Sequence, residues 1–193
     1  PFIDPLSVYG LPIRGVFNSF NLSKIKIDWT LGLMPSIGIV KFDRNNTLFT
    51  RNLSAIKIEK KIKNFNLNSF GHFIWDNSNG SELIKYKNGI WGIGSYGAIT
   101  KTTNIVSSVA VSNFSISQII LSERRTISTK DIPSQRFIDK LAYSFLISQN
   151  IYKNALVFEL KSQRNGAVFR NLGNPFIRNQ YLENSLKIKV VGF

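Results

Sequence analysis

The sequence predicts an all-β protein, a sandwich or barrel of antiparallel strands with at most one short helix. Three observations carry this. Phe17–Leu33 (FNSFNLSKIKIDWTLGL) alternates without a break: Ser23, Ile25, Ile27, Trp29 and Leu31 fall on one side, and Lys24, Lys26, Asp28 and Thr30 on the other. A period of two with β-branched and aromatic residues on one face marks a half-buried strand. Roughly seven such strand candidates recur along the chain, many set apart by Gly, Asn or Ser. Only one segment carries a helical period.

Pro1–Gly15 holds three prolines and two glycines and reads as an extended opening segment. The alternating strand follows and is broken at Met34-Pro35-Ser36. Ile37–Asp43 (IGIVKFD) is a second candidate, closed by Asn45-Asn46. Ala55–Leu67 (AIKIEKKIKNFNL) sets Ile56, Ile58 and Ile62 against Lys57, Glu59, Lys61 and Lys63; it is a strand or a short basic helix, and the alternation favours strand. Phe70–Asp76 is an aromatic strand ending at the turn signal Asn77-Ser78-Asn79-Gly80. Within Glu82–Gly94, Asn88-Gly89 predicts a hairpin turn, because both central positions of that turn want positive φ. Ile105–Leu121 is Ser-rich and β-branched, one or two strands.

Pro133–Ser148 is the helix candidate. Pro133 and Ser134 can open it, and Phe137, Leu141 and Phe145 recur every four residues. Ala155–Lys161 and Ala167–Leu172 are expected to pair across a turn at Ser162–Gly166. Leu186–Phe193 closes the chain as a strand. No internal repeat or second-domain boundary is visible, so residues 1–193 are expected to form a single domain. The chain opens on Pro1 rather than Met, which predicts a processed, trimmed or partial product.

Lys plus Arg number 25 against 11 Asp plus Glu, a formal charge of +14. A folded domain this basic commonly meets a polyanion, nucleic acid first and an anionic membrane second. The basic residues come from nearly every segment, which suits sequence-independent phosphate contact. Trp29, Phe73, Trp75 and Trp91 could stack bases, although filling the core is the commoner role. No run of 18 apolar residues exists to make a transmembrane helix, and no signal peptide is evident.

Catalytic chemistry has little to work with. Cysteine is absent, which removes disulfides, thiolate nucleophiles and Cys-bearing zinc sites. A Ser-His-Asp arrangement would have to use the single histidine, His72, in an aromatic run where a packed histidine is the ordinary case. No calcium-loop spacing accompanies Asp43, Asp76 or Glu82. Gly89–Gly94 lacks the spacing and the lysine of a phosphate loop. No catalytic residue, metal site or cofactor is therefore expected.

Phe17, Phe20, Leu22, Lys24, Ile25, Lys26, Ile27, Asp28 and Trp29 resemble a strand of the single jelly-roll capsid proteins of circular single-stranded DNA viruses. Tyr181, Leu186, Ile188, Val190 and Phe193 are similar to that family's closing turn and strand. The resemblance covers about a third of the chain and leaves the middle unaligned. The basic N-terminal arm usual in the family has no counterpart before Lys24 except Arg14. The resemblance implies a jelly-roll sandwich of two four-stranded sheets. It also implies a virion coat protein that self-assembles as a homo-oligomeric icosahedral shell around single-stranded DNA or RNA, without membrane insertion. Arg14, Lys24, Lys26, Arg124 and Arg125 are the expected nucleic-acid contacts. The alternatives are a basic RNA-binding subunit of an organellar ribosome, a secreted adhesin or appendage subunit, and a metal-dependent nuclease using Asp28 or Asp76.

Overall fold

A computed structural model describes residues 13–34, 51–76, 84–120, 125–129, 136–151, 156–172 and 180–190. The expected all-β antiparallel class is what it shows. The strands are β1 (Arg14–Leu22), β2 (Ile25–Met34), β3 (Arg51–Ile62), β4 (Phe65–Asp76), β5 (Ile84–Ala98), β6 (Thr103–Ile120), β7 (Arg125–Thr129), β8 (Leu141–Ile151), β9 (Leu156–Asn165) and β10 (Tyr181–Val190). They join one continuous sheet in the order β1-β2-β3-β4-β5-β6-β8-β9-β10, with β7 paired to β6. The resemblance implies two four-stranded sheets; the described strands form one sheet in which, apart from the side strand β7, each lies beside its neighbour in sequence.

Several local expectations change. The stretch Phe17–Leu33 is a hairpin rather than one strand. It turns at Ser23–Lys24, where Ser23 takes φ of 51°. Ala55–Leu67 likewise divides into β3 and β4 at Lys63–Asn64, with Lys63 at φ 53°. The expected helix over Pro133–Ser148 is a 3-10 turn, Phe137–Lys140, running into β8. An interval of four is also two strand periods, so Leu141 and Phe145 share a sheet face instead of a helix face. Asn88-Gly89 is no turn: β5 runs straight through it. Ser162–Asn165 continues β9, and the chain leaves the sheet at Gly166. Ile37–Asp43 and the turn at residues 77–80 lie outside the described residues.

The register assigns every side chain to one of two faces. Leu33, Leu31, Trp29, Ile27 and Ile25 share the outer face with Val16, Phe20 and Leu22 across β1, and with Ile56 and Ile58 across β3. The buried core lies on the other, inner face: Met34, Leu53, Ala55, Phe70, Ile74, Ile90, Ala110 and Ala142, joined by Phe169 from the β9–β10 connection. The inner face is concave. Tyr96 on β5 donates its hydroxyl to Glu59 on β3 at 2.6 Å, and Arg51 on β3 lies 5.5 Å from the ring centroid of Tyr86 on β5. Both contacts bridge two strand spacings, about 10 Å on a flat sheet.

The strands are also staggered in one direction. Ile62, at the second hairpin, lies two residues past Lys60, the partner of Ile25 at the first. Ala98 lies one past Gly97, the partner of Phe65. Ile151 lies three past Ser148, the partner of Asn104. A mean step of two residues for every two strands is ~7 Å along against ~10 Å across, a tilt of roughly 35°. That is the tilt at which sheets close into barrels.

Candidate functional site

The face opposite the core departs from the usual surface of a water-soluble protein. Large apolar side chains stand exposed along the outer face: Val16, Phe20 and Leu22 of β1, Ile56 and Ile58 of β3, Leu67 and Phe73 of β4, Trp91 and Ile93 of β5, Leu160 of β9, Leu186 and Ile188 of β10. Trp91 is 65% exposed and Ile93 66%. Phe17 and Val106 are the large exposed apolar strand residues on the inner face. The outer patch runs across strands β1 to β5, whereas a typical monomer's largest apolar patch covers only ~300–600 Å². Its charges, among described side chains, are Arg14, Lys60, Lys87 and Arg164, all toward strand ends.

All three tryptophans share this face. Trp29, Trp75 and Trp91 occupy odd positions of β2, β4 and β5 that the register aligns outward. Trp91 lies across Gly71, where an added Cβ would stand 2.4 Å from the indole Cε3. Phe73 and Trp75 adjoin with centroids 5.2 Å apart. The expectation that these aromatics fill the core is therefore not met. Alternation places them, and their strands face outward where a soluble protein would face inward.

The buried inner face is mixed: polar side chains stand among the apolar core residues. Arg51 Nε donates to Asp76 Oδ1 at 2.8 Å with both side chains nearly inaccessible, and Asp76 Oδ2 accepts the Tyr86 N–H at 2.7 Å. Asn88 is fully buried. Its Nδ2 donates to Ser112 Oγ at 3.1 Å and to the Arg170 carbonyl at 3.0 Å; its Oδ1 accepts the Leu172 N–H at 3.0 Å. Ser112 Oγ also donates to the Arg170 carbonyl. These bonds hold the start of the β9–β10 connection inside the concave face, with Phe169 wholly enclosed. His72 sits beside them, and burial pushes its imidazole down to about 4, against a smaller upward pull from its hydrogen bond with Asn88. Burial also raises the Tyr96 phenol to about 12, with the Glu59 hydrogen bond adding to it.

The expected nucleic-acid contacts do not converge. Arg14 and Lys24 stand at opposite ends of the β1–β2 hairpin. Lys26 is on the inner face and pairs with Asp28 at 3.0 Å. Arg125 begins β7, and Arg124 lies outside the described residues. No helix among the described residues is long and apolar enough to cross a membrane, and no group of metal-ligating side chains is found among them. Comparison of the chain with protein-family models, curated proteins and solved structures finds no match.

The two ends of the sheet differ as well. At one end the strands are joined by the two-residue turns Ser23–Lys24 and Lys63–Asn64 and the four residues 99–102. At the other, sixteen residues separate Met34 from Arg51 and fifteen separate Asn165 from Tyr181. Sequence reasoning found β2, β3, β4, β6 and β10 as strand segments but not this polarity. The missed signal was the spacing: short polar turns alternating with long gaps along a run of strands.

Proposed function

We propose that the sheet is the wall of a membrane-embedded β-barrel, its outer face against lipid and its inner face, part apolar core and part polar network, around an interior narrowed by the β9–β10 connection. One observation carries this reading: large apolar residues stand exposed on one face of every strand from β1 to β5, with charges near the ends, and the opposite face of β2 to β5 holds buried polar groups among its apolar core. Transmembrane barrels alternate apolar outward and polar inward. Other features agree. Strands of 9 to 12 residues, as in β1 to β4, reach about 25 Å at the tilt found, the height of the apolar band in such barrels. Short turns at one end and long connections at the other belong to the same pattern. The expectation of no membrane insertion rested on apolar runs long enough for helices, and strands do not need them. In lipid, the outer edges of β1 and β10 must also find partners, because an unpaired strand edge is not tolerated there.

The test uses the three outward tryptophans. The protein is refolded from denaturant into phosphatidylcholine vesicles whose acyl chains carry bromine at mid-depth. Strong quenching with a blue-shifted emission is expected. Emission that stays red, yields to aqueous iodide and ignores the bromolipid would overturn the reading.

A second reading keeps the coat protein. It is supported by the residues of the resemblance and by the +14 charge. There, a second copy would cover the apolar face. Shell-like particles in electron micrographs of protein that ignores bromolipid would favour it.

A further inference from the structure

We infer that the short-turn end of the sheet is a lysine collar that binds the anionic headgroups of a phospholipid surface; this rests on the barrel reading above. The collar is Lys24 in the first turn, Lys60 at the adjoining end of β3, Lys63 in the second turn and Lys101 in the third. All four are exposed. Backbone hydrogen bonds make these turns one continuous rim. Lys61 N–H donates to the Lys24 carbonyl at 2.9 Å, Ala98 N–H to Asn64 at 3.3 Å, and Asn150 N–H to Thr102 at 2.8 Å. No acidic residue lies in the three turns.

Much of the charge on the inner face is paired locally. On the inner face Lys26 pairs with Asp28 at 3.0 Å, Lys57 with Glu59 at 3.1 Å, Lys161 with Glu183 at 2.6 Å and Lys189 with Glu159 at 2.8 Å. The pairing is strong enough to pull the Glu159 and Glu183 carboxyls below their ordinary range, through the hydrogen bonds from Lys189 and Lys161. The collar lysines make no ion pair with a described residue. Four lysines without an ion pair thus stand together at this rim, whereas the unpaired strand cations Lys87, Arg164 and Lys187 lie singly.

The position of the rim identifies the partner. Leu22, Ile25, Ile62 and Leu67 are exposed on the outer face immediately beside the collar, and Lys60 is cross-strand neighbour to Ile25 and Leu67. Cations that border an apolar band meet the phosphate layer of a bilayer when the band enters its hydrocarbon, with their stems along apolar surface and their ammonium groups in the headgroups. A nucleic-acid strand would need a broad basic face, and the broad inner face of this sheet is largely paired internally and concave. Each lysine held near an anionic surface contributes about a fivefold gain in partitioning.

The experiment compares bromolipid vesicles of phosphatidylcholine alone with vesicles containing phosphatidylglycerol. Three forms of the chain are used: wild type, a quadruple Lys→Gln variant (K24Q, K60Q, K63Q, K101Q), and the matching Lys→Arg variant. At about fivefold for each of four cations, wild type and the Arg variant should partition roughly 600-fold more strongly onto the anionic vesicles at low salt. The Gln variant should lose most of that gain, and high salt should remove it from all three. Equal partitioning of wild type to both vesicles, with tryptophan quenching intact, overturns the collar and leaves the barrel standing. Binding to anionic vesicles without quenching overturns the barrel and leaves the collar as a surface contact. Should polynucleotide displace the wild type from anionic vesicles and bind it in a collar-dependent way, the lipid assignment is overturned.

Discussion

At the scale of single residues, the buried polar groups of the inner face decide how the protein responds to pH and mutation. His72 favours its neutral form because burial penalises the charge, so the folded state holds its imidazole at about 4 against 6.5 in the unfolded chain. Between those values the unfolded state binds the proton and the folded state does not. Stability therefore rises with pH through this window, and acidification from 6.5 to 4 removes it. The loss approaches about 3 kcal/mol, on the order of the pKa difference converted at 1.36 kcal/mol per unit. Chemical denaturation in micelles across this range should show the slope, and His72→Gln should flatten it. The Arg51–Asp76 pair behaves differently. Asp76→Ala strands a buried guanidinium and should cost roughly 3–5 kcal/mol, whereas the apolar double replacement Arg51→Met/Asp76→Leu should recover most of it. Denaturation midpoints of the two variants would reverse that order if the pair were solvated.

At the scale of elements, the β9–β10 connection depends on Asn88. Two hydrogen bonds tie that side chain to the segment, one donated to the Arg170 carbonyl and one accepted from the Leu172 N–H, and at about 1 kcal/mol each Asn88→Ala should loosen the segment by roughly 2 kcal/mol. Trypsin cleavage after Arg170 should accelerate in the variant while the sheet keeps its circular dichroism; unchanged cleavage would mean that Phe169 alone holds the segment. Asn88 also shows what the sequence made legible and what it hid. Alternation located β2, β3, β4, β6 and β10, because period-two patterning is a local property. The dipeptide Asn88-Gly89 carries an equally strong local turn signal, yet here the Asn is an inner-face clamp and the Gly lies on the outer face, where an added Cβ would make ordinary contact with Phe73 at 3.6 Å. Tertiary contacts 82 and 84 residues away in sequence overrode the turn. Leu141 and Phe145 misled for another reason, since spacing by four satisfies both helix and strand. Which side of each strand meets the core was illegible locally. Ile25, Ile27 and Trp29 look like core residues in any soluble context, and only the cross-strand register shows that the core is the opposite face.

At the scale of the whole molecule, the exposed apolar face lets a single substitution separate a wall in lipid from a sheet in water. Ile93 stands 66% exposed on the outer face, five residues from the end of β5, and Val106 is 49% exposed on the inner face of β6. In water both positions are surface, and arginine at either should shift stability by no more than about 0.5 kcal/mol. In a bilayer they part company. Five residues at the tilt found set Ile93 about 14 Å inside the rim, near the middle of the apolar band. An arginine there should cost about 2–4 kcal/mol, while one at Val106 faces the lumen and should cost little. The measurement is the folded fraction recovered in phosphatidylcholine vesicles, read as resistance to added protease, for Ile93→Arg and Val106→Arg side by side. A large loss confined to Ile93→Arg fits lipid against the outer face. Similar yields for both variants would require that something other than lipid covers that face. The comparison does not depend on what closes the edges of β1 and β10, because both substitutions lie in the interior of the same sheet, on neighbouring strands of opposite facing.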